Sequence, residues 1–150
     1  MRRRLALAAT TLALTLLAGP GCVDVGDPWY QSAEVALTVP SGPLSFDADV
    51  LTIFSRRGCI TCHAAGGGGE VHFDITSAAA IARGGDDDPQ PAVPCDSANS
   101  LLVEWITSCY MPYDGGPCLN DVEIATVAKW IDQGATQTYR EGTCPNPPLD

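Results

Sequence analysis

The five residues Cys59-Ile60-Thr61-Cys62-His63 bring two thiols and one imidazole into a single short turn of the chain. Their spacing is the C-x-x-C-H pattern at which a c-type haem is attached to a polypeptide. The two thiols form thioether bonds with two vinyl groups on one edge of the porphyrin, and the adjacent imidazole binds the iron. The pattern therefore predicts one covalent haem c, with Cys59 and Cys62 as attachment residues and His63 as an axial ligand.

Three other chemistries use part of this pattern. A thioredoxin-like C-x-x-C redox pair belongs to a βαβ context, which the sequence does not show. Half of a zinc site needs a second pair of Cys or His ligands at zinc spacing, and none follows. Two ordinary disulfide cysteines that precede a histidine by chance are the third alternative. We favour haem because the full motif is the more specific signal.

The loop around Met111 contains the only methionine after the N-terminal segment. A lone methionine usually fills a gap in a core. This loop is rich in Pro and Gly, however, and is better suited to presenting a sulfur than to burying one. Pro112 stiffens the loop, and a Cys109–Cys118 bridge would pin it further. We therefore expect Met111 to be the second axial ligand of the iron.

The first 21 residues have the composition of a secretory signal. Arg2 to Arg4 form a basic start, Leu5 to Leu17 an apolar run, and small residues precede the cut. The run is shorter than the about 20 apolar residues that span a bilayer. Cys22 lies where a bacterial lipoprotein signal ends, although Gly19 replaces the usual Leu, and we expect Cys22 to be lipidated. A retained anchor, and an ordinary cut that leaves Cys22 to pair elsewhere, are the alternatives.

The cysteine count suits an exported protein. One cysteine for lipid and two for haem leave four, which make two disulfides in an oxidising compartment. A helix between Cys95 and Cys109 would separate them by on the order of 18–20 Å, whereas a disulfide needs Cα atoms within about 7 Å. We therefore expect Cys109–Cys118 with Cys95–Cys144, and keep Cys95–Cys118 with Cys109–Cys144 as the alternative. The seven cysteines are Cys22, Cys59, Cys62, Cys95, Cys109, Cys118 and Cys144.

The chain after the signal is strongly acidic. It contains all 18 Asp and Glu residues and five of the eight Lys and Arg residues, which gives a net charge of −13. This charge disfavours nucleic acid and anionic membrane surfaces as partners. It suits a soluble protein whose redox partner presents a basic face, and simple solubility is the alternative explanation.

Amphipathic patterns predict an all-α domain. The first helix begins at Ser45 and ends at Gly58, with acidic residues in its first turn and arginines in its last. A short helix covers residues 77–83, and a third ends near Ser108 after a cap at Ser97 or Asn99. The apolar positions expected to pack inward are Phe46, Val50, Ile53 and Phe54 in the first helix and Leu101, Leu102, Trp105 and Ile106 in the third.

The last helix has the clearest boundaries. Asn120 is the predicted N-cap and Glu123 the third residue of a capping box, while Leu119 and Ile124 form a hydrophobic staple. Gly134 follows the last turn, where glycine is common. The predicted inner positions are Ile124, Val127, Ala128 and Ile131, with Trp130 beside them.

Two loop segments, around His72 and at residues 86–88, contain side chains of types that can bind metal ions. His72 lies in an alternating stretch in which its side chain points away from Val71 and Phe73, so a surface histidine is preferred over a second axial ligand. The acidic run at residues 86–88 is more typical of a solvated loop than of a calcium site. These features divide the chain into a signal (1–21), a tether (22–44), a haem domain (45–135) and a polar tail (136–150).

Taken in order, these motifs resemble those of a class I c-type cytochrome. More narrowly, they resemble the planctomycete-type cytochrome c domain of exported bacterial proteins. The resemblance covers nearly the whole domain and implies a small all-α fold wrapped around one covalent haem, with long loops. The chain departs from the family at Tyr113, where a second Pro is usual, and at Cys95, where Gly is usual. The matching residues are Gly58 to His63, Val71 to Asp74, Val93-Pro94, Ser100 to Leu102, Met111-Pro112, Leu119, Glu123-Ile124 and Trp130 to Ala135.

An iron held by both His63 and Met111 has no open position for substrate or oxygen, and thioether ligation raises its reduction potential. We therefore expect an electron carrier, or an electron-relay domain of a larger assembly, rather than an enzyme. One alternative is a haem enzyme or gas sensor with Met111 detached, and another is a haem-free, disulfide-bonded surface module. The expected location is the periplasm or, as an anchored lipoprotein, the outer membrane of a Gram-negative bacterium.

Overall fold

The computed structural model describes residues 38–64, 73–85, 90–113 and 116–150. The predicted signal, Cys22, most of the tether, His72 and the acidic run at 86–88 lie outside these ranges. Within them the chain is helical and contains no β-strand, which agrees with the predicted all-α class. The helices are α1 (Leu51–Arg56), α2 (Ala78–Arg83), α3 (Leu101–Thr107) and α4 (Asp121–Asp132).

The approach to α1 begins at Ser45, as predicted. The Ser45 hydroxyl accepts a hydrogen bond from the Ala48 amide, and its own amide donates to the Asp49 carboxylate. Residues Phe46–Val50 form one π-helical turn before α1, a wider turn than the continuous α-helix that the pattern predicts. The four predicted apolar residues of this stretch are all buried, so the wider turn does not displace the apolar face.

Helix α3 is capped differently from the prediction. Ser97–Asn99 form a separate 3₁₀ turn whose N-cap is Asp96, and the N-cap of α3 is Ser100. Neither Ser97 nor Asn99 therefore caps α3, which corrects that part of the sequence interpretation. The Ser100 hydroxyl instead donates to the Asp96 carbonyl at 2.8 Å, inside the fold. Leu102 and Ile106 are buried, while Leu101 and Trp105 are half-buried.

The capping box of α4 is confirmed in both directions. The Asn120 side chain accepts from the Glu123 amide and the Glu123 carboxylate accepts from the Asn120 amide, each at 2.9 Å. The inner face is shifted relative to the prediction: Trp130 is 1% exposed and belongs to the core, whereas Ile124 and Ala128 are half-buried. The shift allows Phe46 and Trp130 to pack with ring centroids 5.4 Å apart.

Two disulfides close the loops around α3 and α4. Cys109 pairs with Cys118, and Cys95 pairs with Cys144, with Cα atoms 5.4 and 5.5 Å apart. These are the two bonds of the preferred prediction. Disulfides of this kind indicate an oxidising environment outside the cytoplasm. No helix in the described part of the chain is long and apolar enough to cross a bilayer.

Both ends of the described chain are held against α4. The buried Lys129 ammonium donates to the carbonyls of Pro40 and Asp150, at 3.0 and 2.8 Å. The buried Gln133 amide nitrogen donates to the carbonyls of Gly42 and Pro148. Residues 40–44, at the end of the predicted tether, and the last residues of the tail therefore pack as parts of the domain.

Gly134 ends α4 in a conformation that a side chain would disturb. Its φ is +109°, and a Cβ atom would lie 2.5 Å from Cγ2 of Thr143. We expect Gly134→Ala to lower the free energy of unfolding by about 2–3 kcal/mol, because a steric cost adds to the backbone cost; urea denaturation measures the loss. Gly42→Ala is the control, because its φ is +78° with nothing within 4 Å, so only the backbone cost of about 1 kcal/mol applies. An equal loss in the two variants would contradict the steric argument.

Candidate haem-attachment site

The C-x-x-C-H segment forms one compact turn after α1. Gly58 adopts φ +74°, a left-handed conformation that lets the chain reverse directly after the helix. Residues Cys59–Thr61 then form a 3₁₀ turn, and the amides of Cys62 and His63 both donate to the Cys59 carbonyl, at 3.3 and 3.0 Å. The two thiols and the imidazole are therefore carried by a single hydrogen-bonded loop.

The two thiols of this turn differ in environment, and neither forms a disulfide. Cys62 is exposed, whereas Cys59 is half-buried and packs against the hydrophobic core. Burial raises the pKa of the Cys59 thiol to about 11; the nearby Arg57 charge opposes this rise and the Glu123 carboxylate adds to it. The other four described cysteines are all paired, so the free thiols are those of the motif.

His63 is oriented through one ring nitrogen. Its Nδ1 lies 3.0 Å from the carbonyl oxygen of Phe73, and the Phe73 ring meets the imidazole edge-on at 5.8 Å. Because a carbonyl can only accept, Nδ1 carries the proton in the neutral imidazole, and Nε2 carries the lone pair that binds metals. A hydrogen bond to the second nitrogen is the usual way in which proteins fix a ligating histidine.

The segment that holds His63 is itself fixed. The Ile75 amide donates to the His63 carbonyl at 2.9 Å, and Ile75 is buried in the core. Between Phe73 and Ile75, the Asp74 carboxylate accepts from the amide and the hydroxyl of Thr76, which lowers the pKa of Asp74. The histidine is thus tied to a separate stretch of chain, and the sequence pattern gave no indication of this contact.

Met111 lies on a different element, the loop between α3 and α4. This loop is closed by Cys109–Cys118, and the amides of Tyr110 and Met111 both donate to the Trp105 carbonyl. Met111 is half-buried, which fits neither a fully buried gap-filler nor a fully exposed side chain. Its neighbours Tyr110 and Tyr113 are 55% and 79% exposed, and their rings lie 6.4 Å apart.

An ion pair between Arg57 and Glu123 lies beside the motif, and the sequence pattern does not predict it. Arg57 was interpreted as a cation at a helix end, and Glu123 as a capping residue. The structure joins them: Nε of Arg57 donates to both oxygens of Glu123, at 3.0 and 2.8 Å, and a second guanidinium nitrogen binds the same carboxylate. They are separated by 66 residues in sequence, so no local pattern could have revealed the contact.

An open groove of about 530 Å³ lies away from these residues. It is lined by α2 and by residues following α4, including Ala79, Ala82 and Arg140, and by none of Cys59, Cys62, His63 or Met111. In the described ranges, no group of three or more His, Cys, Asp or Glu side chains is arranged to hold a metal ion. Comparison with protein-family models, curated proteins and solved structures finds no match to the chain.

The difference in reactivity between the Cys59 and Cys62 thiols can be measured by alkylation. At pH 8, a thiol of pKa about 11 has about one thiolate per thousand molecules. We expect iodoacetamide to modify Cys62 well before Cys59 in the disulfide-bonded, haem-free chain, as read by peptide mass spectrometry. The Cys59 rate should rise about tenfold per pH unit until the pH approaches 11, because only the thiolate reacts. Equal rates for both thiols at pH 8 would contradict the described burial of Cys59.

Proposed function

We propose that this chain is an exported one-electron carrier, similar to class I and planctomycete-type c-type cytochromes. One haem c would be attached through Cys59 and Cys62 and ligated by His63 and Met111. When bound, the haem supplies an iron that alternates between the ferric and ferrous states. The observation that carries the proposal is the motif turn, which presents two free thiols and an imidazole whose Nδ1 is already engaged.

The thiols support this proposal better than they support a disulfide. The four described cysteines outside the motif form two disulfides with ordinary Cα separations, while Cys59 and Cys62 stay unpaired on one turn. Thioether formation requires reduced thiols that face the same ligand edge. The turn keeps them close in sequence and in space through the hydrogen bonds to the Cys59 carbonyl.

The surroundings of the turn suit a flat apolar ring with acidic groups. Ile60 and Phe73 are half-buried hydrophobic residues that pack against the core beside the motif. Three residues before Cys59, the Nη1 atom of Arg56 is buried and has no hydrogen-bond partner within the described ranges. A buried unpaired donor is costly, and a haem propionate is an acceptor of suitable charge.

His63 and Met111 have distinct roles in this function. The hydrogen bond to Phe73 engages Nδ1 of His63, so Nε2 would be the atom that holds the iron, and the bond would raise the basicity of the ring. The disulfide-closed loop presents the Met111 sulfur, and a thioether stabilises ferrous over ferric iron. With both positions filled, the chain excludes substrate and water from the iron, so that electron transfer is the remaining chemistry.

We further propose that the carrier works in the periplasm or at the outer membrane, anchored through a lipid on Cys22. The disulfides require an oxidising compartment. The net charge of −13 after the signal favours a redox partner with a basic face, because complementary charge accelerates encounter.

The direct test is to purify the protein from a host that matures c-type cytochromes. We expect an added mass of one haem that survives acid extraction, and a low-spin ferric spectrum that cyanide perturbs only slowly. Rapid cyanide or carbon monoxide binding would instead favour an enzyme or gas sensor with an open iron. A colourless protein without the added mass would refute the proposal and favour the haem-free, disulfide-bonded surface module.

Met111→Ala tests the second axial ligand. We expect the haem to stay attached, because both thiols are intact, and the reduction potential to fall by on the order of a tenth of a volt, since the stabilising sulfur is lost. Redox titration followed by absorption measures the change. Tyr110→Phe, in the same loop, is the control and should leave the potential nearly unchanged. A Met111→Ala protein with the wild-type potential would exclude Met111 as ligand.

A further inference from the structure

Glu123 is a fully buried carboxylate that accepts hydrogen bonds from three nitrogen atoms. Its side chain is 0% exposed and accepts from the Arg57 guanidinium through two nitrogens, as well as from the Asn120 amide. The Arg57 side chain is only 14% exposed. Screening by solvent is therefore weak, and removing one partner would leave the other charged and buried.

The two residues of this ion pair belong to segments that carry different proposed ligands. Arg57 is followed by the left-handed Gly58 and then by the turn with Cys59 and His63. Arg57 therefore lies two residues before the first residue of that turn.

Glu123 stands in the first turn of α4, three residues after the N-cap. Cys118, which closes the Met111 loop, lies two residues before that N-cap, and the intervening Leu119 is buried in the core. The motif turn and the Met111 loop are therefore both attached to the N-terminus of α4, the first through the ion pair and the second through the chain itself.

We propose that Arg57 and Glu123 are a positioning pair that holds the His63 turn and the Met111 loop in a fixed relation, so that the Met111 sulfur stays on the iron. This inference rests on the proposed haem ligation. The planar guanidinium grips both carboxylate oxygens and so restricts rotation as well as distance. The Asn120 amide donates to the same carboxylate and restrains it further.

The test uses the full-length holoprotein and the rate at which cyanide binds the ferric iron, because cyanide must displace Met111. The variants are Arg57→Gln, Glu123→Gln and the double variant, with Arg57→Lys as a milder change that keeps the charge but loses the planar fork. Asp121→Asn is the matched control: it removes one acidic charge from the same helical turn, at an exposed residue outside the ion pair.

We expect each Gln variant to bind cyanide about tenfold faster than wild type, and the double variant to be no faster than the single variants, because residues in direct contact are not additive. Arg57→Lys should fall between wild type and Arg57→Gln, while Asp121→Asn should match wild type. The absorption band of Met-ligated ferric haem should weaken in the same order.

Two results would overturn the inference. Cyanide rates within twofold of wild type in Arg57→Lys and in every Gln variant that retains haem would show that the pair only stabilises the fold. If the increase in cyanide-binding rate in the double variant equals the product of the increases in the two single variants, the two residues act separately. Haem loss confined to the Gln variants leaves Arg57→Lys as the deciding measurement. A wild-type protein that carries no haem refutes the proposed function and this inference together, and is thereby distinguished from a failure of the positioning pair alone.

Discussion

Buried polar side chains on α4 are the constraint on which the described fold depends. A polar group removed from water must find a hydrogen-bond partner inside the protein, and the cost of leaving it unpaired makes the partner specific. In α4, the buried Glu123 binds Arg57, and the half-buried Asp132 accepts from the amide and hydroxyl of Ser97. Directly after α4, the buried Gln133 accepts from the Leu44 amide. Each of these bonds attaches a different part of the chain to this helix or to its C-terminal end.

The apolar core and the polar contacts of α4 contribute differently to the fold. The core around Phe46, Ile81, Val127 and Trp130 removes apolar surface from water, which drives folding without specifying one arrangement. The polar contacts favour the arrangement in which the motif turn, the region before α3 and both ends of the described chain are attached to α4 and its C-terminal end. Breaking one side of a buried ion pair costs roughly 3–5 kcal/mol, a large share of the stability of a small domain.

The proposed electron transfer depends on the polar contacts more than on the apolar core. A carrier of electrons needs a cofactor whose two axial ligands stay in place through oxidation and reduction. His63 is held by the Phe73 carbonyl, and the Met111 loop is closed by a disulfide. Neither restraint alone relates one proposed ligand to the other; under the proposed positioning pair, that relation would pass through the N-terminus of α4. The same element that organises the fold would therefore also organise the site.

Local sequence patterns predicted a large part of this structure, because the interactions behind them span only a few residues. Several predicted features depend only on a residue and its near neighbours. They are the cap at Ser45, the capping box of α4, the left-handed conformations of Gly58 and Gly134, and the end of α2 at Gly84. The length of α3 excluded one of the three disulfide combinations, and the structure has the preferred one of the remaining two. The C-x-x-C-H motif was visible for the same local reason.

Other features were decided by contacts between distant residues. The π-helical turn at Phe46, the cap of α3 at Ser100, the burial of Trp130 and the restraint on His63 depend on what each segment packs against. The Arg57–Glu123 pair joins two residues that each have a local role, Arg57 at a helix end and Glu123 in the capping box. Neither local role predicts the contact between them. The amino-acid sequence by itself determined the positions of the helices, the caps at Ser45 and Asn120, and the candidate attachment residues. Only the tertiary structure decided which buried polar groups meet, because a hydrogen-bond partner far along the chain leaves no periodic or local trace in the sequence.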